Sequence, residues 1–416
     1  MSSSSTDKPT LSAVPFLGLA PFLRMSISGA DLQATAQEML AQTANDQDNA
    51  NLWMNLSTVT LCLGHRDAGL ALQATALELS RVYHLAAAKQ PVQLRLLMLM
   101  APGDLAANTP LDCLLENSDI DLDLYYLSPN AALPPTLPEH DVLIVGLSEL
   151  DEHRHMLDSL EQALAHWPRP VINAPQYIPN TGRSRASELL QHAPGLLIPP
   201  TMQISRSELQ AIASGAVRLP EQFDDCDFPV ILRPMGSHAG RDLEKIDAVQ
   251  GVATYLEHVH ESDFFLSRFI DYSDPDGLFR KFRIALIDGQ SFACHMAVSS
   301  HWMVHYVNAG MYEDAQKRAE EAQFMQRFDE FFVRHSEALK TIAQRTQLDY
   351  LCIDCAQTPS GELLVFEIDH AMVVHAMDSE QLFPHKQTHM LKVKTAFREL
   401  LLRLQAASAA STSKTH

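Results

Sequence analysis

Two apolar runs near the carboxyl end of the chain carry acidic residues in alternation, and this pattern constrains the fold most strongly. The segment YLCIDCAQTPSGELLVFEID, residues 350–369, is typical of two strands joined by a turn at residues 359–361. Successive side chains of a strand point to opposite faces. Asp354 on the first strand and Glu367 and Asp369 on the second are therefore predicted to share one face of a hairpin.

Such a face would be costly without a counter-ion. The residues around the three acids are apolar, and buried carboxylates repel one another and lose hydration. A hard cation resolves the conflict, because Mg²⁺ accepts carboxylate oxygens and leaves positions for phosphate oxygens and water. The alternative is an exposed sheet face on which the acids are solvated.

A glycine-rich loop lies earlier in the chain, in PVILRPMGSHAGRD at residues 229–242. Arg233 ends a predicted strand there, and Gly236 and Gly240 follow it. Glycines let a loop bring backbone N–H groups close to phosphate oxygens. By themselves they indicate only a turn.

Basic residues recur in FRKFRIALIDG, residues 279–289, which is predicted to form a hairpin that turns at Asp288-Gly289. Lys281 and Arg283 share a strand face and could meet the same anion. The alternative is a solvated basic edge.

The overall charge makes these local cations informative. The chain has 51 acidic and 31 basic residues and a formal net charge of −20. That balance argues against unspecific binding to nucleic acid or to an anionic membrane. The N-terminal MSSSSTDKPT lacks the features of a signal peptide, no apolar run has the length of a membrane span, and six scattered cysteines fit a reducing compartment. A cytoplasmic location is expected.

At 416 residues, the chain is predicted to form several domains. Alternating strand and helix patterns indicate an α/β domain after an all-helical start. The predicted segments are a disordered start (1–12), a helical segment (13–90), an α/β domain (91–175), a linker with a lid subdomain (176–270), a catalytic subdomain (271–405) and a disordered tail (406–416).

Within the helical segment, residues 49–80 resemble one tetratricopeptide repeat. Trp53 and Leu56 fall on the first helix, Gly64 at the turn and Ala76 at the helix crossing. One repeat cannot bury its own apolar face, so the segment is predicted to pack on the rest of the chain or on a second subunit.

The order of the motifs resembles the ATP-grasp ligases, such as glutathione synthetase, D-alanine–D-alanine ligase and the ribosomal-protein glutamate ligases. The resemblance covers roughly residues 91–405. It implies a mixed α/β and α+β fold with a preceding α/β domain, an ATP lid and a catalytic domain. It also implies that Asp354, Glu367 and Asp369 bind Mg²⁺, although the family usually has Asn at the third position.

The resemblance further implies a set of nucleotide contacts. Arg233 stands where a lysine is usual, and Ser267 stands where an acid for the ribose is usual. Arg283 and Lys281 are implied to stabilise charge on the transferred phosphoryl group. The implied ATP-binding residues are Arg183, Arg233, Gly236, Ser237, Gly240 and the hinge residues Arg268, Phe269 and Ile270.

The implied activity is a ligase reaction that uses ATP and one or two Mg²⁺ ions, for which Mn²⁺ could substitute. A carboxylate would be activated as an acyl phosphate and joined to an amine, with release of ADP and phosphate. One alternative is a ligase for a peptide or protein docked on the helical segment; another is a nucleotide-binding scaffold without turnover. The expected partners are small-molecule or peptide substrates, and a second subunit or another protein at the helical segment, but neither nucleic acid nor membrane.

Several histidines follow the predicted strands. His295, His301 and His305 lie in CHMAVSSHWMVHY, and His370 directly follows the acidic strand. They could line an acceptor pocket or take the proton of the amine, or they could be structural. Zinc is not expected, and the C-x-x-C pair at 352–355 is predicted to serve packing, because its cysteines face opposite sides of a strand.

Overall fold

The computed structural model describes residues 14–129, 131–223, 226–237 and 240–412. The predicted disorder of residues 1–12 therefore concerns a part of the chain outside the described residues. The helices are α1 (Ala20–Ser28), α2 (Leu32–Thr43), α3 (Ala50–Cys62), α4 (Arg66–Leu79), α5 (Leu111–Leu115), α6 (Arg154–Leu164), α7 (Arg183–Leu190), α8 (Arg206–Ala213), α9 (Leu219–Gln222), α10 (Val249–His258), α11 (Ala315–Gln326), α12 (Phe328–Thr346) and α13 (Lys386–Thr412). The strands are β1 (Val82–Leu85), β2 (Leu94–Met100), β3 (Ile120–Tyr126), β4 (Val142–Val145), β5 (Val171–Ile172), β6 (Leu196–Leu197), β7 (Thr201–Ser205), β8 (Val230–Pro234), β9 (Glu244–Ile246), β10 (Asp263–Arg268), β11 (Phe279–Ile287), β12 (Gln290–Ser299), β13 (Tyr350–Gln357) and β14 (Leu363–Asp369).

The first sheet has the strand order β1-β3-β2-β4-β5. Strands β2 to β5 run parallel, and β1 is antiparallel to β3 at the edge. The four residues of β4 are all buried, as expected of a parallel sheet covered on both faces. The predicted α/β alternation is present. The prediction that the segment before residue 90 is wholly helical was wrong at Val82–Leu85, because these residues complete the edge of the sheet.

Helices α3 and α4 pack on the first sheet through Met54, Ala76 and Leu77, whereas α2 packs on α3. Helices α3 and α4 form a hairpin in which a Cβ on Gly69 would lie 2.6 Å from the Leu61 side chain, so the helices approach closely. The half-buried Asp112 accepts hydrogen bonds from the backbone N–H groups of Leu19 (2.6 Å) and Ala20 (2.8 Å), where α1 begins. The segment is helical as predicted and is anchored on the rest of the chain. The tetratricopeptide assignment stays a prediction.

The second sheet is antiparallel throughout, in the order β7-β10-β8-β9. Helices α8 and α10 cover one face, with Leu209, Tyr255 and Phe264 in a common core. Between β8 and β9, the described residues 235–237 and 240–243 are hereafter called the lid loop. Strand β7 pairs with β10, and its Met202 and Ile204 side chains pack against the core of this sheet.

The third sheet has the order β12-β11-β13-β14-β6. Both predicted hairpins are confirmed: β11 and β12 turn at Asp288-Gly289, where both residues have positive φ, and β13 and β14 turn at residues 358–362. Strand β6 adds to β14 in parallel orientation.

Helix α13 packs against both the first and the third sheet. Phe397 is fully buried, and its ring lies 5.2 Å from that of Tyr350. The predicted disorder of residues 406–412 was wrong, because the alanine-rich sequence continues the helix to Thr412. Residues 413–416 lie outside the described part of the chain. No helix among the described residues combines the length and apolarity needed to span a membrane.

Candidate active site

The three predicted acidic residues lie on one face of the third sheet. Asp354 on β13 is directly opposite Glu367 on β14, and Cys352 is opposite Asp369. A row of paired residues continues across the sheet, because Asp354 is also paired with Arg283 on β11, and Arg283 with His295 on β12. The register therefore brings acids and a cation from distant parts of the sequence side by side.

Asp354 is bound by two cations. Its carboxylate accepts from Arg283 Nε (2.8 Å) and Nη2 (3.0 Å) and lies 2.6 Å from Lys281 Nζ. Only 2% of Asp354 is exposed. Burial alone would raise the pKa of Asp354, but Arg283 and Lys281 outweigh it and hold that pKa well below its ordinary value. Asp354 is therefore a permanent anion at neutral pH.

Glu367 is paired with a cation from a different element. Arg183, the first residue of α7, reaches Glu367 Oε1 at 2.5 Å. Burial favours the neutral form of Glu367, but Arg183 and, more weakly, Arg233 lower its pKa below the ordinary value. The family resemblance implies that Arg183 contacts ATP, and the structure brings Arg183 to the acidic face.

Asp369 differs from the other two acids. Its Oδ1 accepts from the backbone N–H of Ala371 at 2.9 Å, and no cationic side chain forms a salt bridge to it among the described residues, apart from a 3.7 Å approach of the His370 ring. Burial raises the pKa of Asp369. Asp369 is thus the acid whose charge is least compensated within the protein.

The donor set can be tested for Mg²⁺. In the described ranges, no three His, Cys, Asp or Glu side chains converge closely enough to enclose an ion. Mg²⁺ bound with a nucleotide does not need such a cage, because it keeps waters and takes phosphate oxygens beside one or two carboxylates. Asp354 and Glu367, which face each other across the hairpin, and Asp369 beside them supply oxygen donors of this kind. The residues fit Mg²⁺.

Arg233 lies on β8, just before the lid loop. The guanidinium of Arg233 donates to the backbone carbonyl and the hydroxyl of Ser237, which is itself 96% buried. Burial and the nearby Arg183 lower the pKa of Arg233 to about 10, so it remains charged at neutral pH. Gly236 and Gly240 have φ values of +69° and +74°, which glycine adopts without strain.

A cavity of about 250 Å³ lies between the second and the third sheet. Its charged wall consists of Arg183, Arg233, Lys281 and Glu367. The hinge residues Arg268, Phe269 and Ile270 line its other end, together with the aromatic side chains of Tyr272, Trp302 and Phe366. Phe269 and Trp302 meet edge to face, with ring centroids 5.7 Å apart. One end of the cavity thus suits a flat apolar ring, and the other suits anionic oxygens.

The α/β sheet, the lid-bearing sheet and the acid-bearing sheet follow one another in the predicted order, and the cavity separates the last two. The chain has the three-part architecture that the resemblance to the ATP-grasp ligases predicts. No protein-family model and no curated protein sequence matches it.

Several solved structures are similar to the chain over most of its length. The D-alanine–D-alanine ligase from Bacillus anthracis, solved with ATP, is 12% identical with a TM-score of 0.46, and the match covers 76% of this chain and 99% of that one. The D-alanine–D-alanine ligase from Coxiella burnetii is 10% identical with a TM-score of 0.47, and the match covers 78% of this chain and 98% of that one. A RimK domain ATP-grasp protein from Sphaerobacter thermophilus is 13% identical with a TM-score of 0.41, and the match covers 74% of this chain and 99% of that one. Likeness at this level assigns no substrate.

The histidines predicted to contact substrate have different environments. His305 lines the cavity. His295 lies beneath it, with its ring 4.8 Å from that of Tyr306, and burial and Arg283 keep its pKa well below the ordinary value. His301 is exposed, and His370 is buried with Nε2 2.8 Å from the Leu147 carbonyl oxygen. The structure therefore brings only His305 of this group into the cavity wall.

Glu149 is near the site but was not singled out from the sequence. It follows β4, and a Cβ on Gly182 would lie 2.9 Å from its carboxylate, so the small residue before Arg183 makes room for it. Burial and Asp151 raise the pKa of Glu149. Ligands of α/β sheets commonly sit at the carboxyl ends of parallel strands, and this rule was the signal that could have identified it.

Proposed function

We propose that this protein is a Mg²⁺- and ATP-dependent ligase that joins a carboxylate to an amine. The observation that carries the proposal is the paired row of Arg283, Asp354 and Glu367 next to a cavity that also holds Arg183 and Lys281. Acids for a metal and cations for phosphate are thereby concentrated at one end of a cavity whose other end is aromatic.

The reaction we propose has two steps. A carboxylate oxygen of the first substrate attacks the γ-phosphorus of ATP, the bond to the β,γ-bridging oxygen breaks, and ADP leaves. The amine then attacks the acyl carbon, loses a proton, and expels phosphate, which carries away the oxygen that came from the carboxylate. An amide or peptide bond results, and no nucleophilic side chain of the protein is required.

The residues of the chain have defined roles in this proposal. Asp354, Glu367 and Asp369 hold Mg²⁺, which neutralises charge on the β- and γ-phosphates when bound. Lys281 and Arg283 stabilise charge on the transferred phosphoryl group. Lys281 and Arg283 are paired with Asp354 in the structure. A metal ion bound by the acids would take over this pairing and free both side chains to contact phosphate oxygens.

The remaining contacts orient the nucleotide. Arg183 and Arg233 approach the phosphates from α7 and from the base of the lid, and the hinge from Arg268 to Ile270 holds the adenine ring through its main chain. The lid loop excludes water, which would otherwise hydrolyse the acyl phosphate.

A scaffold without turnover is the less favoured alternative. Asp354 is buried and Glu367 is half-buried, and each is paired with specific cationic partners. Burying a carboxylate such as Asp354 is costly for a protein that only binds nucleotide. Whether the acceptor is a free metabolite or a peptide docked on the helical segment is left to experiment.

ADP formation tests the proposal. The protein is incubated with Mg-ATP and pools of amino acids, small carboxylates, amines and short peptides, and ADP is measured by a coupled assay. We expect ADP only when a carboxylate and an amine are both present. Glu367→Gln should lower the rate at least about a hundredfold. Glu362→Gln, at the turn of the same hairpin and bonded to Ser360 (2.9 Å), serves as the matched control. The absence of ADP with every pool would contradict the proposal.

A further inference from the structure

The segment that follows β12 forms a shelf opposite the lid loop. We define the shelf as residues 300–308. Its His305 lies directly under Gly240 of the lid: a Cβ at Gly240 would be 2.7 Å from His305 Nε2 and 3.4 Å from the sulfur of Met303. Gly240 therefore has two reasons to be glycine, its positive φ and the close approach of the His305 ring.

The shelf is fixed on both sides. Tyr272 donates its hydroxyl hydrogen to the Trp302 carbonyl, and the Trp302 ring packs against Phe269 of the hinge. On the other side, Tyr306 donates to Glu321 Oε2 at 3.1 Å and accepts from Lys386 Nζ at 2.5 Å. Glu321 and Lys386 are both buried. The His305 ring is consequently held in place before any ligand arrives.

Hydrogen bonding at the end of the shelf determines which ring nitrogen of His305 can donate. The ring accepts from the backbone N–H of Asn308, and the backbone N–H of His305 donates to Asn308 Oδ1 at 3.1 Å. Because Nε2 faces the lid, the accepting atom is Nδ1, and a neutral ring then carries its hydrogen on Nε2. Burial and Lys281 lower the pKa of His305, which favours the neutral ring.

We propose that His305 donates its Nε2–H to a phosphate oxygen of the bound nucleotide and so positions the polyphosphate next to Gly240. The proposal rests on the proposed function and assigns His305 to the nucleotide rather than to the acceptor amine. An Nε2 that already carries a hydrogen cannot take the proton of an amine. It can donate to an anionic oxygen beside Lys281, Arg233 and Arg183, which line the same cavity.

Nucleotide affinity tests the assignment. Binding of Mg-AMPPNP and of adenosine is measured by calorimetry for the full-length protein and for His305→Ala and His305→Gln. His260→Ala, an exposed histidine outside the cavity, is the control. We expect His305→Ala to weaken Mg-AMPPNP about tenfold and adenosine by less than about twofold, since only the triphosphate loses a hydrogen bond to a charged group. His305→Gln, whose amide can donate from a similar position, should recover most of the affinity.

Two outcomes would overturn the assignment while leaving the ligase proposal intact. In both, His305→Ala binds Mg-AMPPNP as tightly as the wild-type protein does. In the first, turnover is also unchanged; in the second, His305→Ala and His305→Gln lose turnover equally, as expected if His305 accepts a proton. Circular dichroism and thermal unfolding of each variant establish that it is folded. If the wild-type protein binds no Mg-AMPPNP, the proposed function itself fails, and the assignment fails with it.

Discussion

Asp354 and Glu367 lie directly opposite each other on β13 and β14, and each is neutralised by cations from another element. Asp354 takes Lys281 and Arg283 from the neighbouring strand, and Glu367 takes Arg183 from the start of α7. The site is thus assembled by charge pairing between segments up to 184 residues apart. Replacing either acid should therefore leave its cationic partners without a counter-charge.

The pairing of Asp354 predicts a pH-dependent contribution to stability. The pKa of Asp354 in the folded protein is below its unfolded value, which is about 4. The contribution is therefore fully present above pH 4 and is lost as the pH falls towards the folded pKa. At pH 7, Asp354→Asn should lower the free energy of unfolding by about 3 kcal/mol, because two cations lose their partner.

Between pH 5 and pH 3, this difference should shrink by about 1 kcal/mol, since each pH unit below the unfolded pKa changes it by about 1.4 kcal/mol. Urea unfolding of both proteins at each pH measures the difference. A gap that stays constant or widens on acidification would contradict the pairing.

Asp369 predicts a specific metal response. Burial raises its pKa, and its charge is poorly compensated by the protein. Asp369→Asn keeps an oxygen donor but removes the charge, so turnover should persist while the Mg²⁺ concentration for half-maximal rate rises several-fold. A titration of the rate with Mg²⁺ checks this. Unchanged Mg²⁺ dependence would place Asp369 outside the metal site.

The two lid glycines provide a matched comparison. Both have positive φ, but a Cβ on Gly236 meets nothing within 4 Å, whereas one on Gly240 meets His305. Each alanine variant should carry about 1 kcal/mol of backbone strain. Gly240→Ala should in addition weaken Mg-AMPPNP binding several-fold more than Gly236→Ala does. Equal affinities of the two variants, measured by calorimetry, would show that the lid does not rest on His305.

The helical segment predicts a stability difference between two carboxylates. Half-buried Asp112 accepts from two backbone N–H groups at the start of α1, whereas Asp104 makes a partly exposed ion pair with Arg66 at 2.9 Å. Asp112→Ala should cost about 2 kcal/mol, because two N–H groups lose their acceptor. Asp104→Ala should cost less than about 1 kcal/mol. Urea unfolding of both variants measures the loss in free energy of unfolding. Equal losses would mean that the hydrogen bonds of Asp112 do not anchor the helical segment.

Much of the site followed from strand alternation. The shared face of Asp354, Glu367 and Asp369 required only a period of two and a turn at residues 358–362, and the register confirms it. The pairing of Arg283 with Asp354 could not be predicted in the same way, because the register between β11 and β13 is set by tertiary packing over about 70 residues.

Other features could not be predicted from the sequence, for physical reasons. Strand β7 consists of only five residues and has its core-facing side chains covered by a distant strand, so no local pattern identifies it. The position of Glu149 beside the site depends on the approach of Gly182 from another segment. Helix α13 extends beyond the end of its apolar sequence pattern, because alanine favours helix even where few tertiary contacts support it.

The transfer of oxygen from carboxylate to phosphate tests the central claim most directly. The protein is incubated with Mg-ATP and a pool of amino acids labelled with ¹⁸O in their carboxyl groups, and the released phosphate is analysed by mass spectrometry. An acyl phosphate intermediate predicts one ¹⁸O atom in each phosphate that accompanies amide formation, with none from Glu367→Gln. Phosphate released without label, alongside an amide product, would contradict the account.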